Sequence, residues 1–146
     1  MATIVDHSAL RVNQTGIVAT ILVAFVVSAV FWPVVLLIPA LAAVLLVGTF
    51  APDLALFKQI YLRVLRPRGI VRPRPIEDSP APHNFAQGLG GVFLAVASVL
   101  LLVFPAAGLA LALVVAALAF ANLVFNYCLG CQIYYLLGRR GLIAQP

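Results

Sequence analysis

Between Arg11 and Asp53 the chain carries no charged side chain, and from Ser79 to Gly138 it again carries none. An α-helix rises ~1.5 Å per residue and about 20 residues cross a bilayer, so each uncharged stretch is long enough for two crossings. The breaks inside the stretches mark the turns. Trp32-Pro33 divides the first, because proline starts helices but disrupts their interiors and tryptophan favours the membrane interface. Phe104, Pro105 and Gly108 divide the second. The pattern predicts an all-α, polytopic membrane protein in one integral membrane domain. Its four transmembrane helices fall near 14–31, 34–51, 84–104 and 107–127, as two hairpins. Pro39 is placed to kink the second, and the fourth is expected to run on as an interfacial extension to about residue 137. No cleavage site with signal-peptide flanks follows the first apolar run, so the first span is expected to stay in the mature protein.

The segment between the second and third spans has two parts. Over 54–66, Phe57, Ile60, Tyr61, Val64 and Leu65 share one helical face, and Lys58, Gln59, Arg63 and Arg66 fall largely on the other. This predicts an amphipathic helix lying in the cytoplasmic headgroup region. Residues 67–82 then hold five prolines and are expected to run as an extended, polyproline-like loop. Small residues recur every four positions at Gly16, Thr20, Ala24 and Ser28, at Gly91 and Ala95, and at Ala112 and Ala116. Helices in lipid associate by such close backbone approach, so a compact bundle is expected.

Composition fits this picture: 64% of residues are hydrophobic and 9% charged, against about 25% charged in an ordinary soluble domain. The charge adds orientation. Arg11, the central Lys58, Arg63, Arg66, Arg68, Arg72 and Arg74, and the late Arg139 and Arg140 all fall on one side if there are four spans. The positive-inside rule makes that side the cytoplasm, with both termini inside an inner (plasma) membrane. The net charge of +5 is thereby accounted for by the bilayer, without nucleic acid.

The polar residues near the helix ends gather on the same side. Asn13 and Gln14 open the first helix, Asp53 closes the second, and Asn84 and Gln87 open the third. Asn122, Asn126, Cys128, Cys131 and Gln132 come late in the fourth. They form either a cytoplasm-facing pocket or a rim that meets water. The stretches "APHNFAQGLGGVF" and "NYCLGCQIYY", with "LRVNQTG" and "APDLALF", resemble a bacterial four-helix membrane family of unknown function that ends in a Cys-x-Gly-Cys pair. The resemblance marks Asn84, Phe85, Ala86, Gln87, Gly88, Cys128, Gly130 and Cys131. It implies no established activity; thioredoxin-like and rhodanese-like contexts within the family point to thiol or sulfur chemistry.

Cys128 and Cys131 are the only cysteines. Four roles stay open for them: packing, a redox or persulfide relay, metal ligation and lipidation. On a continuous helix, side chains three apart have Cβ atoms about 5–6 Å apart, too far for a disulfide without distortion. At the C-terminal end of a helix the dipole also disfavours a thiolate. A resting dithiol is therefore expected. Two cysteines make an incomplete metal site; His7 and His83 lie on the same side, but a lone histidine is more often an ordinary interfacial residue, so no metal and no cofactor is assigned. Two functions follow. One is a thiol relay through Cys128 and Cys131 to a thioredoxin-like or rhodanese-like protein, the pair oriented by Asn84, Gln87 and Asn126. The other is a structural accessory subunit of a larger membrane complex. No Ser-His-Asp grouping, phosphate loop or catalytic carboxylate pair is present in the sequence to support a different enzyme class.

Overall fold

The fold is that of a computed structural model, which describes residues 3–142. Strand β1 (Thr3–Asp6) leads into α1 (His7–Ser28). A 3-10 turn over Trp32–Leu36 opens α2 (Leu37–Phe50), and Pro33 sits at its start, where a missing N–H costs nothing. The short α3 (Leu56–Ile60) continues as a π-turn over Tyr61–Leu65. Strand β2 (Pro75–Asp78) precedes α4 (Pro80–Val103), α5 (Pro105–Phe125) and α6 (Leu129–Arg139). Four helical segments are long and apolar enough to cross a membrane: His7–Ser28, Trp32–Phe50, Pro80–Val103 and Pro105–Phe125.

Helix α4 is the central element, packing against α2, α5 and α6, while α1 packs against α5 and more lightly against α2. Ile21, Ala24, Ile38, Leu45, Leu94, Ala97, Ala112 and Ala116 fill the interior. The outside is as greasy as the inside: Phe50 is 84% exposed, Leu102 87% and Val103 80%. Water would not tolerate that surface, and the four apolar helices are compatible with a multi-pass membrane protein. Hydroxyls within the spans bond their own helices, Thr20 to Gly16 O (2.7 Å), Thr49 to Leu45 O (2.9 Å) and Ser98 to Leu94 O (2.7 Å). Small residues set the spacing: a Cβ on Gly108 would lie 2.7 Å from Ala97 O and 2.8 Å from Leu101 N, so α5 approaches the α4 backbone at van der Waals distance.

Three contacts place the helix ends. Arg11, early in α1, donates from Nη2 to Leu123 O late in α5 (3.3 Å). Gln87, early in α4, donates to Leu45 O in α2 (3.1 Å). His7 N donates to Arg74 O before α4 (3.0 Å). The starts of α1 and α4 therefore meet the ends of α2 and α5, and this is the end of the bundle that carries the arginines.

Several boundaries differ from the sequence reading. The first helix begins at His7 rather than near 14, because the Asp6 carboxylate accepts the Ser8 N–H (3.0 Å) and caps it. The third begins at Pro80 rather than near 84, with proline at its first position. The 67–82 segment is extended only in part, since it turns at 66–69 and enters α4 at Pro80, and its extended part makes a strand, so the chain is not helical at every ordered element. Pro75–Asp78 pairs antiparallel with Thr3–Asp6, Ile4 opposite Glu77 and Val5 opposite Ile76. Proline keeps this stretch out of helix, and its free backbone groups find a partner strand instead.

Asp6 ties this ribbon to the helices. Besides Ser8 it accepts the Arg74 N–H (3.0 Å) and the hydroxyl of Tyr61 (2.7 Å), whose side chain is fully buried. Burial pushes the Asp6 carboxyl up, but the bonds from Tyr61, Arg74 and Ser8 and the charge of Arg66 outweigh it and hold it below the ordinary 3.8. A folded value below the unfolded one stabilises the fold above the unfolded value, and that stabilisation disappears as pH falls through the folded value. Asp6→Ala removes a helix cap and leaves a buried hydroxyl unpaired, for an expected loss of about 2–4 kcal/mol. Thermal melts in detergent micelles check this: the variant should melt earlier at pH 7 and show a shallower acid limb than the parent. Equal acid limbs would remove Asp6 as their source.

Candidate functional site

Helix α5 stops at Asn126, which takes the left-handed conformation (φ 55°, ψ 28°). Asparagine tolerates this better than most residues, and a left-handed residue is a common way to end a helix. The chain then turns through Tyr127 and restarts at Leu129 with Cys128 as N-cap, φ −97°, ψ 101°. The Cys128 Sγ accepts the Cys131 N–H at 3.2 Å. The expected continuous extension of the fourth span is thus a separate helix, and the cysteines lie at its N-terminus rather than at a helix C-terminus.

That change reverses two expectations. With Cys128 in extended backbone outside the helix, its side chain swings over Cys131, and the two are joined as a disulfide with Cα atoms 5.2 Å apart. The resting dithiol expected from the sequence is not the state described. A thiolate at Cys128 would face the positive end of α6 instead of the negative end of α5.

Cys131 is buried, 7% exposed, and Cys128 half-buried. The Cys131 Sγ lies 3.7 Å from His83 Nδ1 in the first turn of α4. On the other side of that ring, His83 Nε2 lies 2.9 Å from Asp78 Oδ2 at the end of β2. The bond from His83 holds the Asp78 carboxyl below its ordinary value, against burial and aided by the Ser79 N–H and the charges of His83 and His7. When Asp78 Oδ2 accepts a hydrogen bond from Nε2–H of a neutral His83, the Nδ1 lone pair faces the sulfur. His7 Nε2 also stands 3.3 Å from the same Asp78 oxygen, yet off the angle for a hydrogen bond, which leaves it buried without a hydrogen-bond partner among the described residues. These groups share a cavity of about 250 Å³ with Arg11, Arg74 and Gln132. Two arginines against one carboxylate make a setting that favours a sulfur anion.

Placement of α6 comes from glycine. A Cβ on Gly130 would lie 2.6 Å from Ala86 Cβ and 2.8 Å from Ala86 Cα, so α6 rests directly on α4. The Phe85 and Tyr134 rings, 5.6 Å apart, seal the same junction.

Of the residues singled out from the sequence, Gln14 and Asn126 line the cavity with the cysteines. Asn13 donates to Gln87 Oε1 (3.3 Å), joining α1 to α4 one layer deeper. Asn84 instead faces a second cavity with Asp6 and Tyr61. Asp53 is remote: its side chain is exposed and its carbonyl accepts from Gln59. Arg63, Arg66, Arg68 and Arg72 are exposed, and Lys58 is half-buried along the second cavity. Of the six central basic residues, only Arg74 reaches the cysteine cavity. Sequence reasoning passed over Asp78 and discounted His83. The usable signal was an acid and a histidine flanking Ser79-Pro80, a helix start that brings both to one end of α4.

Residues 5–139 match the model of a family described as a domain of unknown function, DUF4395. No curated protein and no solved structure matches the chain.

Proposed function

The chain belongs to the DUF4395 family, whose description assigns no activity, and we propose from the geometry of its own site that it is a membrane thiol–disulfide relay. One observation carries the reading: a half-buried sulfur at a helix N-terminus is paired with a buried one facing a histidine that an aspartate orients. This divides the labour as an exchange reaction needs.

A thiolate of a partner protein attacks the accessible Cys128 Sγ. The Cys128–Cys131 bond breaks, a mixed disulfide forms on Cys128, and the electron pair leaves with the Cys131 sulfur. A proton reaches that sulfur from solvent. The partner's second thiolate then attacks the mixed disulfide, closing its own disulfide and releasing Cys128 as a thiolate that the α6 N-terminus stabilises. Two electrons pass from the partner dithiol to the pair. In reverse the reduced pair passes them on, with Cys131 as the resolving sulfur and His83 Nδ1 taking its proton. The relative potentials of the couples set the direction.

The arginines share the cysteine end of the bundle, and by the positive-inside rule we place that end in the cytoplasm of an inner membrane. Two helical hairpins then enter from inside, and the Leu56–Leu65 segment lies in the headgroup layer. The partner is a soluble thiol protein of thioredoxin-like or rhodanese-like type. Acid-quenched trapping in intact membranes tests the relay. Cys131→Ser should accumulate a mixed disulfide on Cys128, and Cys128→Ser should not. Absence of any adduct from a Cys131→Ser protein present at normal abundance would sink it.

A further inference from the structure

We propose that the reduced site binds a zinc-class divalent ion through Cys128 Sγ, Cys131 Sγ and His83 Nδ1, so that the pair alternates between a disulfide and a metal centre. The inference rests on the reading that this pair is reducible. The ligand atoms of the three residues already lie within 4.8 Å of one another. In a tetrahedral zinc site with Zn–S about 2.3 Å and Zn–N about 2.0 Å, sulfur and nitrogen stand about 3.5 Å apart and the two sulfurs about 3.8 Å. The Cys131–His83 separation of 3.7 Å is close to the first spacing without movement. The second follows when the disulfide opens, because two unbonded sulfurs must separate to about that distance, and Cys128 lies outside the helix, free to rotate about its side chain.

Support around the ligands fits as well. Metal-bound histidines almost always hold their other ring nitrogen to a carboxylate or carbonyl, which fixes the tautomer. Here Asp78 takes His83 Nε2 and leaves Nδ1 for the ion. Three protein ligands leave one position open, as in catalytic rather than structural zinc sites. That position opens on a cavity of about 250 Å³, where water or a partner thiolate can complete the tetrahedron.

The chemistry balances. A dithiol reductant gives two electrons and two protons, becoming a disulfide and leaving Cys128 and Cys131 as thiols. The ion displaces both thiol protons, and they go to solvent. Oxidation by a partner disulfide reverses the sequence and releases the ion. Disulfide and ion therefore exclude one another on the same two sulfurs.

Cobalt(II) titration of the full chain in detergent micelles tests this, with a phosphine reductant in place of any partner. Reduced protein should bind one Co²⁺ per chain, with tetrahedral d–d bands and thiolate-to-cobalt charge transfer, and Zn²⁺ should displace it. Oxidised protein should show neither. Asp78→Asn should weaken binding about 10–100-fold with the bands retained, and His83→Ala should weaken it further and shift them. Reduced protein that binds cobalt no better than oxidised protein overturns the proposal, as does His83→Ala with unchanged affinity and bands. Cobalt binding without partner trapping would count against the relay alone; trapping without cobalt binding would count against the metal site alone.

Discussion

Replacing His83 by alanine should slow resolution of a mixed disulfide on Cys128 by about 100-fold or more, the scale of a lost general base. Resolution requires Cys131 to attack, and a thiol attacks only after losing its proton. Among the described residues, His83 Nδ1, at 3.7 Å, is the nitrogen placed to take it. Asp78→Asn should have a smaller effect in the same direction, since the amide can still meet the ring but no longer fixes its tautomer. The check is metal-free protein charged with a small-molecule mixed disulfide on Cys128, its release followed over time. Alkylation of Cys128 in the reduced protein should be unchanged in both variants, because the ring faces the other sulfur. If His83 merely packs α4 against α6, resolution would proceed at the parent rate.

Gly130→Val should also cut resolution by about 100-fold, through distance instead of chemistry. A Cβ there collides with the Cα and Cβ of Ala86, and the α4 backbone cannot yield, so α6 must lift. Cys131 is the next residue and moves away from His83; a displacement of about 1 Å can cost that much. The four-helix core contains no α6 residue, so the melting temperature in micelles should fall only slightly. Gly130→Ala should be milder, and Ala86→Gly should relieve it only in part, because the Cα of residue 86 still lies 2.8 Å from the new Cβ. A Gly130→Val protein with full exchange activity would mean that α6 does not need its seat on α4.

The spans were legible because lipid imposes a coarse constraint: backbone polar groups must be satisfied within the helix, and charge must stay out for about 20 residues. The gaps between Arg11 and Asp53 and between Ser79 and Gly138 record that directly. Pro33 and Pro105 were legible as turns for the same local reason. The cysteine end was less so. One backbone dihedral at Asn126 decides whether the cysteines close one helix or open another, and the pattern is blind to it because no charged residue or proline falls between α5 and α6 to mark a break. The pairing of residues 3–6 with 75–78 joins segments some 70 positions apart, and no local pattern announces it. His83 looked solitary in the sequence because its partners, Asp78 and Cys131, are brought to it by that ribbon and by α6.

The hydroxyls of Thr20, Thr49 and Ser98 spend their protons on carbonyls one turn back in their own helices. Each is a closed loop, and among the described residues these loops do not link into a wire from the arginine end to the opposite face. If the proposed relay operates, protons released or consumed at the sulfurs would come and go at the arginine end, where the cysteine cavity lies. A relay of the kind proposed above would then exchange reducing equivalents with one compartment and leave the voltage across its membrane untouched.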